Sequence, residues 1–438
     1  MKNLKKGDKV AIISLSSGLL GEKSIDKQRK IGIKNLKNIG LVPTFTNNAL
    51  KGIDFIKKHP DLRAKDLKDA FYDKSVKMIL SAIGGFDTYK ILPYLFSDKK
   101  FIKPLFKQYM SLLNSRGITS VKEIGFDEFS GFQKILSELE EENELHLRVH
   151  FMSQPVGYNA NFEYAQKMMN EYNSPFIRFS GFNRMTDGSI SQGNGLLKKP
   201  YENQSYNCKL NIDWDLIKDE VLKADQLGTR FSLNAQGDGA VAKAVDIFEL
   251  CKKDNDGKLV NRHAITEAEF SDPEDLKRMA KLGIICEYYP QIQSITSYRD
   301  KVGMIQTQIG LERGKNYWNR RKMKDYGVPL CCGTDLPLVI DHIPESIYYS
   351  VTGLFPEGGQ PFNKENCLTT SEVLESWTSG GAFDFYREDD LGSLDVGKLA
   401  DIAVIDGDIL HTNPKDCRKF NVCMTIINGK IVYQKSDK

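Results

Sequence analysis

The feature that most constrains this chain is a rhythm. Seven short β-branched or apolar runs recur at 117–124, 145–152, 176–183, 230–236, 262–268, 284–290 and 328–335. Segments with apolar residues at helical spacing separate most of them, at 131–141, 162–172, 214–226, 241–252, 273–282 and 314–326. Strands joined through helices run parallel, because each crossover returns the chain to the same end of the sheet, and a long series of such units wraps into a barrel. Seven strands are one fewer than closure needs. The expected fold class is therefore α/β, an incomplete (β/α)8 TIM-type barrel.

Two smaller pieces flank it. Residues 1–95 contain strand-like runs at 9–14, 41–45 and 76–82 around a helical pattern at 27–39, an α/β fragment with parallel strands closed by the turn glycines Gly84 and Gly85. Residues 391–438 hold two strand-like runs, the second split by Asn428-Gly429, the dipeptide favoured in a two-residue type I′ hairpin, and form a small β module. The expected domains are thus 1–95, 105–390 and 391–438. An open barrel exposes two strand edges with unpaired backbone groups. The run at 9–14 or that at 76–82 is expected to insert beside 117–124 and complete a hybrid barrel. The junction at 96–108 carries no glycine- or serine-rich linker, so the join reads as a recombined or truncated product.

Composition narrows the class of partner. Of 438 residues, 61 are Lys or Arg and 58 Asp or Glu, a net charge of +3, and no basic stripe accompanies it, which argues against nucleic acid. No apolar stretch approaches the roughly 20 residues that span a bilayer, and no secretory pattern opens the chain, so neither a membrane nor export is expected and the compartment is read as cytoplasmic. The eight cysteines (208, 251, 286, 331, 332, 367, 417, 423) include no CxxC and read as reduced core thiols. The acidic cluster at 140–144 reads as a solvated helix end.

Two resemblances follow from particular residues. LKKGDKVAIISLSS (4–17), HPDLRAKDLKDAFYDKSVKMILSAIGG (59–85) and FDTYKILPYL (86–95) resemble the N-terminal part of LD-carboxypeptidases, serine peptidases whose nucleophile follows in a G-x-S-D turn. Here FSDKKFIKPLFKQYM follows instead, and Ser97-Asp98 lacks the glycine such a turn needs. No triad of nucleophile, base and orienting group is assignable. The longer resemblance is to the amidohydrolase superfamily, in the branch of metal-dependent hydrolases that includes N-substituted formamide deformylase. It is carried by RGITSVKEIG (116–125), RMTDGSISQGNGLLKKPY (184–201), NAQGDGAVAKAVDIFE (234–249), RHAITEAEFSDPEDLKRMAKLGII (262–285), GTDLPLV (333–339) and LGSLDVGKLADIAVID (391–406).

That resemblance implies a divalent metal, zinc by family habit, at the C-terminal mouth of the barrel, where it makes hydroxide from bound water. The substrate implied is a small amide-like molecule. The ligand set it implies is His-x-His on the first strand, Lys or a carboxylate on the fourth, His on the fifth and sixth, and Asp on the eighth. No H-x-H occurs; Asn183 stands in the place of the lysine, Asn234 of the fifth-strand histidine and Glu267 of the sixth-strand one, while Asp335 stands as the family has it. Asp335 then reads as a metal ligand or general base, or alternatively as a loop acid capping the next turn. His263 and Glu267 lie four apart on one strand and so share a face. With Asp335 they would make a residual mononuclear site if that face is the interior, or a buried ion pair otherwise. Asp187 is read as shaping the substrate loop or simply forming a turn, and Asp238 as a helix cap. His59, His146, His150, His342 and His411 are read as scaffold. The expected function is a hydrolase of non-peptide carbon–nitrogen bonds that is impaired or inactive for want of ligands. The alternatives are a fragment of a serine peptidase and a non-catalytic ligand-binding protein.

Overall fold

The computed structural model describes residues 3–84, 87–125, 131–155, 157–336 and 343–436. The chain divides into two compact units, Met1–Tyr109 with Glu128–Glu144, and Met110–Asp127 with Leu145–Lys438.

In the first unit, β1 (Lys9–Ile13), β2 (Val42–Phe45) and β3 (Val76–Ser81) form a parallel sheet in the order β2-β1-β3. The middle strand is the apolar one: Val10, Ile12 and Ile13 are buried, and Val10 and Ile12 build a core with Leu20, Leu41 and, from helix Asp26–Asn38, Ile33 and Leu36. Helix Pro60–Tyr72 opens on a proline, whose missing N–H has no partner to lose in a first turn. It buries Arg63, whose Nη1 donates to the Leu15 carbonyl at 2.9 Å and to Asp87 at 3.2 Å. Ser97 donates to the Tyr94 carbonyl at 3.3 Å, while Asp98 accepts the Phe101 N–H and pairs with Lys68 at 3.0 Å, which makes that dipeptide a helix start. Helix Phe132–Glu141 belongs to this unit and is tied to helix Lys99–Asn114 through Lys103 and Glu142 at 2.6 Å.

The second unit contains all seven expected barrel strands: β4 (Ser120–Gly125), β5 (Arg148–Ser153), β6 (Ile177–Met185), β7 (Phe231–Ala235), β8 (Ala264–Glu267), β9 (Ile285–Tyr288) and β10 (Leu330–Cys332). They pair in parallel and in sequence order, from β4 at one edge to β10 at the other. Their outward residues, such as Phe231, Leu233 and Ile265, bury against Val241, Val245, Leu276 and Met279 on helices Asp238–Phe248 and Pro273–Leu282. The expected hybrid barrel is not formed. β1 pairs with β2 and β3 in a sheet of its own, and the seven-stranded sheet includes neither run; β1, paired on both sides, has no free ladder to offer, and β3 is committed as an edge of the smaller sheet.

A second correction concerns the helix expected at 314–326. It is broken into Leu311–Gly314 and Arg320–Tyr326, with Trp318 between them at φ 50°. The indole fills an aromatic cluster with Tyr317, Phe355 and Phe362, and that tertiary contact outweighs helical propensity. The tail keeps its turn. β11 (Ile402–Ile405), β12 (Val422–Ile427) and β13 (Lys430–Gln434) form an antiparallel sheet, and Asn428 and Gly429 both take positive φ between the last two strands, as a type I′ turn requires. Arg148 on β5 holds Asp401 in a two-pronged pair at 2.7 and 2.9 Å, which anchors the tail to the barrel. All eight cysteines are free thiols. Among the described residues no helix is long and apolar enough to cross a membrane.

His150 on β5 lies inside the curled sheet, stacked on Phe385 at 4.2 Å and bonded to Ser180 at 3.2 Å. Burial, with Arg387 and Arg178 adding to it, pushes its pKa down to about 3, so the folded protein keeps it neutral. The unfolded chain protonates it near its ordinary value of about 6.5, and stability is lost as pH falls from there toward 3. Between pH 7 and 5.5 the unfolding free energy of the parent, from urea denaturation, is expected to fall more steeply than that of His150→Gln, by up to about 1 kcal/mol per pH unit. Equal slopes would show that the ring is protonated in the fold.

Candidate active site

The C-terminal ends of β6, β7 and β8, with the loop after β10, carry Asn183, Asn234, Glu267 and Asp335. Parallel register sets Met185 beside Asn234 and Ala235 beside Glu267, so the strand ends step round one rim. On β7 the inward positions alternate Arg230, Ser232, Asn234, and the Ser232 hydroxyl donates to Glu287 at 3.3 Å inside the sheet. At the rim the Asn234 amide donates to Glu267 Oε1 at 2.9 Å. Asn183 is buried, and its carbonyl accepts from Gln154 at 3.5 Å.

Several buried atoms in this group have no hydrogen-bond partner: Asn183 Nδ2, Asn234 Oδ1 and Glu267 Oε2. Unsatisfied buried polar atoms are rare in native proteins and mark places where something else binds. The backbone is unusual here too. Glu267 and Ala268 take φ 76° and 44°, and Asp335 takes φ 53°, left-handed values that non-glycine residues adopt at a cost of about 1–3 kcal/mol. Burial, then the charge of Glu269 and, less strongly, that of Asp335, pushes the Glu267 carboxyl up to about 8, while the nearby Gln236 and Asn234 amides pull the other way. Glu267 thus holds a proton near neutral pH while Asp335 stands exposed on the rim. Glu269 is engaged elsewhere, accepting from the Tyr317 hydroxyl and the Trp318 indole.

His263 is not brought to this rim. β8 alternates regularly only as far as Thr266, whose hydroxyl donates inward to Glu287 at 3.1 Å, so His263 points outward with Ile265. The left-handed backbone at Glu267 then breaks the two-residue period, which is why residues four apart do not share a face. The His263 ring stacks on Phe248 at 4.9 Å and meets Asp225 and Cys251 in a buried cluster. Its Nδ1 accepts the Phe231 N–H at 2.9 Å, so Nε2 carries the proton that it donates to Asp225 at 3.1 Å. No lone pair is left for a metal, and burial, followed by the Asp225 charge, pushes the Cys251 thiol up to about 12.

Asp187 is buried beneath the loops after β6 and β7. Its carboxylate accepts the N–H groups of Leu196, Gln236 and Gly237 at 2.8, 2.9 and 3.0 Å, stapling one loop to the other. Burial pushes its pKa up to about 6 against those three donors. Asp238, at the start of its helix, accepts the Lys198 N–H at 2.9 Å and braces the same pair of loops. His342 lies outside the described residues.

Sequence reasoning missed the layer beneath the rim. Lys122 on β4 pairs with Glu287 on β9 and, at 3.3 Å, with Asp384 from helix Ser379–Asp384. Arg230 pairs with Glu287 and Asp384, each at 2.8 Å. Two cations and two anions, three of the four almost fully buried, fill the interior where apolar layers are usual. The signal available was the charged residue placed on an inward position of an otherwise apolar strand, as Arg230 and Glu287 are.

Zinc asks for imidazole or thiolate donors. Among the described residues the rim presents only carboxylate and amide oxygen, and its orphaned acceptors are oxygens as well. The described rim residues offer zinc neither imidazole nor thiolate.

Comparison with known proteins bears on this geometry. Residues 93–433 match the family model described as amidohydrolase family, and residues 10–107 match that described as LD-carboxypeptidase N-terminal domain. YtcJ of Bacillus subtilis, provisionally named an amidohydrolase, is 24% identical over 274 residues, 62% of this chain and 50% of that protein. N-substituted formamide deformylase of Arthrobacter pascens is 23% identical over 225 residues, 50% of this chain and 39% of that protein. The chain spans half or less of the length of the curated relatives it matches. The crystal structure of an uncharacterized metal-dependent hydrolase from Pyrococcus horikoshii shares the fold, with a TM-score of 0.61 and 18% identity over 93% of this chain and 87% of that one.

Proposed function

This chain belongs to the amidohydrolase family, and from that premise we propose that it is a hydrolase of non-peptide carbon–nitrogen bonds in small amide-like molecules, acting at the rim of the curled sheet with strongly impaired turnover. The observation that carries the reading is the state of the rim: Asn234 and Glu267, joined at 2.9 Å, stand where histidines would, and their remaining oxygens have no hydrogen-bond partner. A metal-activated hydroxide needs an ion held by ligands of the right kind, and the imidazoles are missing.

What the chain's own residues supply is acid–base chemistry. Asp335 is the candidate to take a proton from an attacking water. Glu267, protonated near neutral pH, is the candidate to give one to the departing nitrogen. Such a pair contributes about 10²–10⁴-fold, far less than a complete hydrolase site. Asp187, through its three backbone bonds, sets the loops that border the substrate space.

The test is hydrolysis of N-formyl and N-acyl amines by the purified chain, with the formamide deformylase assayed alongside. The expected turnover is at least about a thousandfold below the range of roughly 1–10³ s⁻¹ typical of enzymes and is lost in Asp335→Asn. Two tightly held transition-metal ions per chain with turnover inside that range would overturn the reading.

A further inference from the structure

We infer that the first unit holds a carboxylate-binding site of its own, at the carboxyl ends of β1 and β3, where the Arg63 guanidinium grips the carboxylate of a small organic acid through its Nε and Nη2 N–H groups. The site goes beyond the hydrolase reading and shares no residue with the rim.

Topology sets the place. In the order β2-β1-β3 the chain leaves the central strand toward one side and later returns on the other, and such a reversal opens a crevice outside the strand ends where open α/β sheets take their ligands. Leu15 and Ser16 follow β1, and Asp87 follows β3. Helix Pro60–Tyr72 brings Arg63 to the same residues, fully buried. One end of the guanidinium is engaged: Nη1 donates to the Leu15 carbonyl at 2.9 Å and to Asp87 Oδ1 at 3.2 Å, and the Ser16 hydroxyl donates to that same oxygen at 3.1 Å.

A second observation points to a ligand. Arg63 Nε and Nη2 are both buried, and neither has a hydrogen-bond partner. These two nitrogens form one edge of the planar guanidinium, and their N–H bonds run parallel at the spacing that the two oxygens of a carboxylate match. A charged group buried with its donors unmet is costly, and such orphans mark where an acceptor belongs. Asp87 decides the class of anion. Its side chain is 22% exposed and is already bonded to Nη1 and Ser16, so one added negative charge is tolerated, whereas a phosphate dianion meets roughly twice the repulsion.

Acetate is the probe. For a ligand of so few atoms the tightest Kd is about 10⁻⁴ M, and half-saturation is expected between that value and about 10⁻² M. The experiment is calorimetric titration of the full chain with sodium acetate and, separately, inorganic phosphate, at ionic strength held constant with chloride. It is run on the parent, Arg63→Lys, Asp87→Asn and Asp335→Asn, with circular dichroism on each. Acetate is expected to bind one to one. Arg63→Lys, which keeps the charge and loses the fork, is expected to weaken binding at least about tenfold. Asp87→Asn, which removes a neighbouring negative charge, is expected to tighten it about three- to tenfold, and Asp335→Asn to leave it unchanged. No saturation by acetate up to about 50 mM overturns the inference, as does binding that Arg63→Lys leaves intact or that Asp335→Asn abolishes. Phosphate binding tighter than acetate binding overturns the assignment to a carboxylate. If Arg63→Lys does not fold, the Nε–H proton resonance of Arg63 in the parent decides: a downfield shift that saturates with acetate supports the inference, and an unmoved resonance overturns it.

Discussion

Replacing Arg230 by methionine is expected to destabilise the barrel by about 3–5 kcal/mol, the cost of breaking a buried ion pair by removing one partner. The guanidinium, at the start of β7, bridges Glu287 and Asp384 at 2.8 Å to each. Without it Lys122 is the remaining cation of the quartet facing two buried carboxylates. Burial pushes the Asp384 carboxyl up, but the charges of Arg230 and Lys122 outweigh burial and hold it well below the usual carboxylate range. Its contribution is therefore present above the ordinary carboxylate value and is lost as pH falls through the depressed one. In the variant much of that depression goes, and acid unfolding should begin at higher pH. Urea denaturation at pH 7 and an acid titration followed by circular dichroism check both. A loss below about 1 kcal/mol would show that the four charges are hydrated rather than buried.

The quartet also bears on the missing strand. β4 is an edge strand, and an edge without a neighbour is free to fray. Lys122 reaches from that edge to Glu287 on β9 and to Asp384, and so fastens the curled sheet across its interior where backbone pairing does not.

Why the strands were legible and this layer was not has a physical answer. A strand announces itself within five or six residues, through apolar alternation such as that of Phe231, Leu233 and Ala235, and all seven appear where such runs lie. The turn at Asn428-Gly429 is equally local. Lys122 and Asp384 are 262 residues apart, and Arg230 and Asp384 are 154 apart, so nothing near any of them states the pairing. At the rim the substituted ligand positions were legible because each occupies a recognisable segment. The direction of His263 was not, since it depends on where the alternation of β8 ends, and that is set by the backbone at Glu267. The break at Trp318 is of the same kind, a tertiary contact overriding a local pattern.

The second large effect concerns what the rim has in place of histidine. Installing imidazoles through Asn234→His together with Glu267→His is expected to raise affinity for zinc at least about a hundredfold, comparable to the 10–100-fold that even outer-shell groups contribute at such sites. The two positions are adjacent in space, since their side chains hydrogen-bond at 2.9 Å, so two imidazoles would converge. With Asp335 they would supply two nitrogens and one carboxylate oxygen, the three-ligand pattern of catalytic zinc that keeps a fourth position open for water. The change also removes a carboxyl that burial, more than the charges of Glu269 and Asp335, disfavours in its ionised form. Competition with a chromophoric chelator measures the affinity, and each single substitution should deliver only a small part of the gain, because one imidazole beside a carboxylate holds zinc loosely. If the double variant binds zinc no better than the parent, Asp335 lies out of reach of the pair, and a three-ligand site at these strand ends fails.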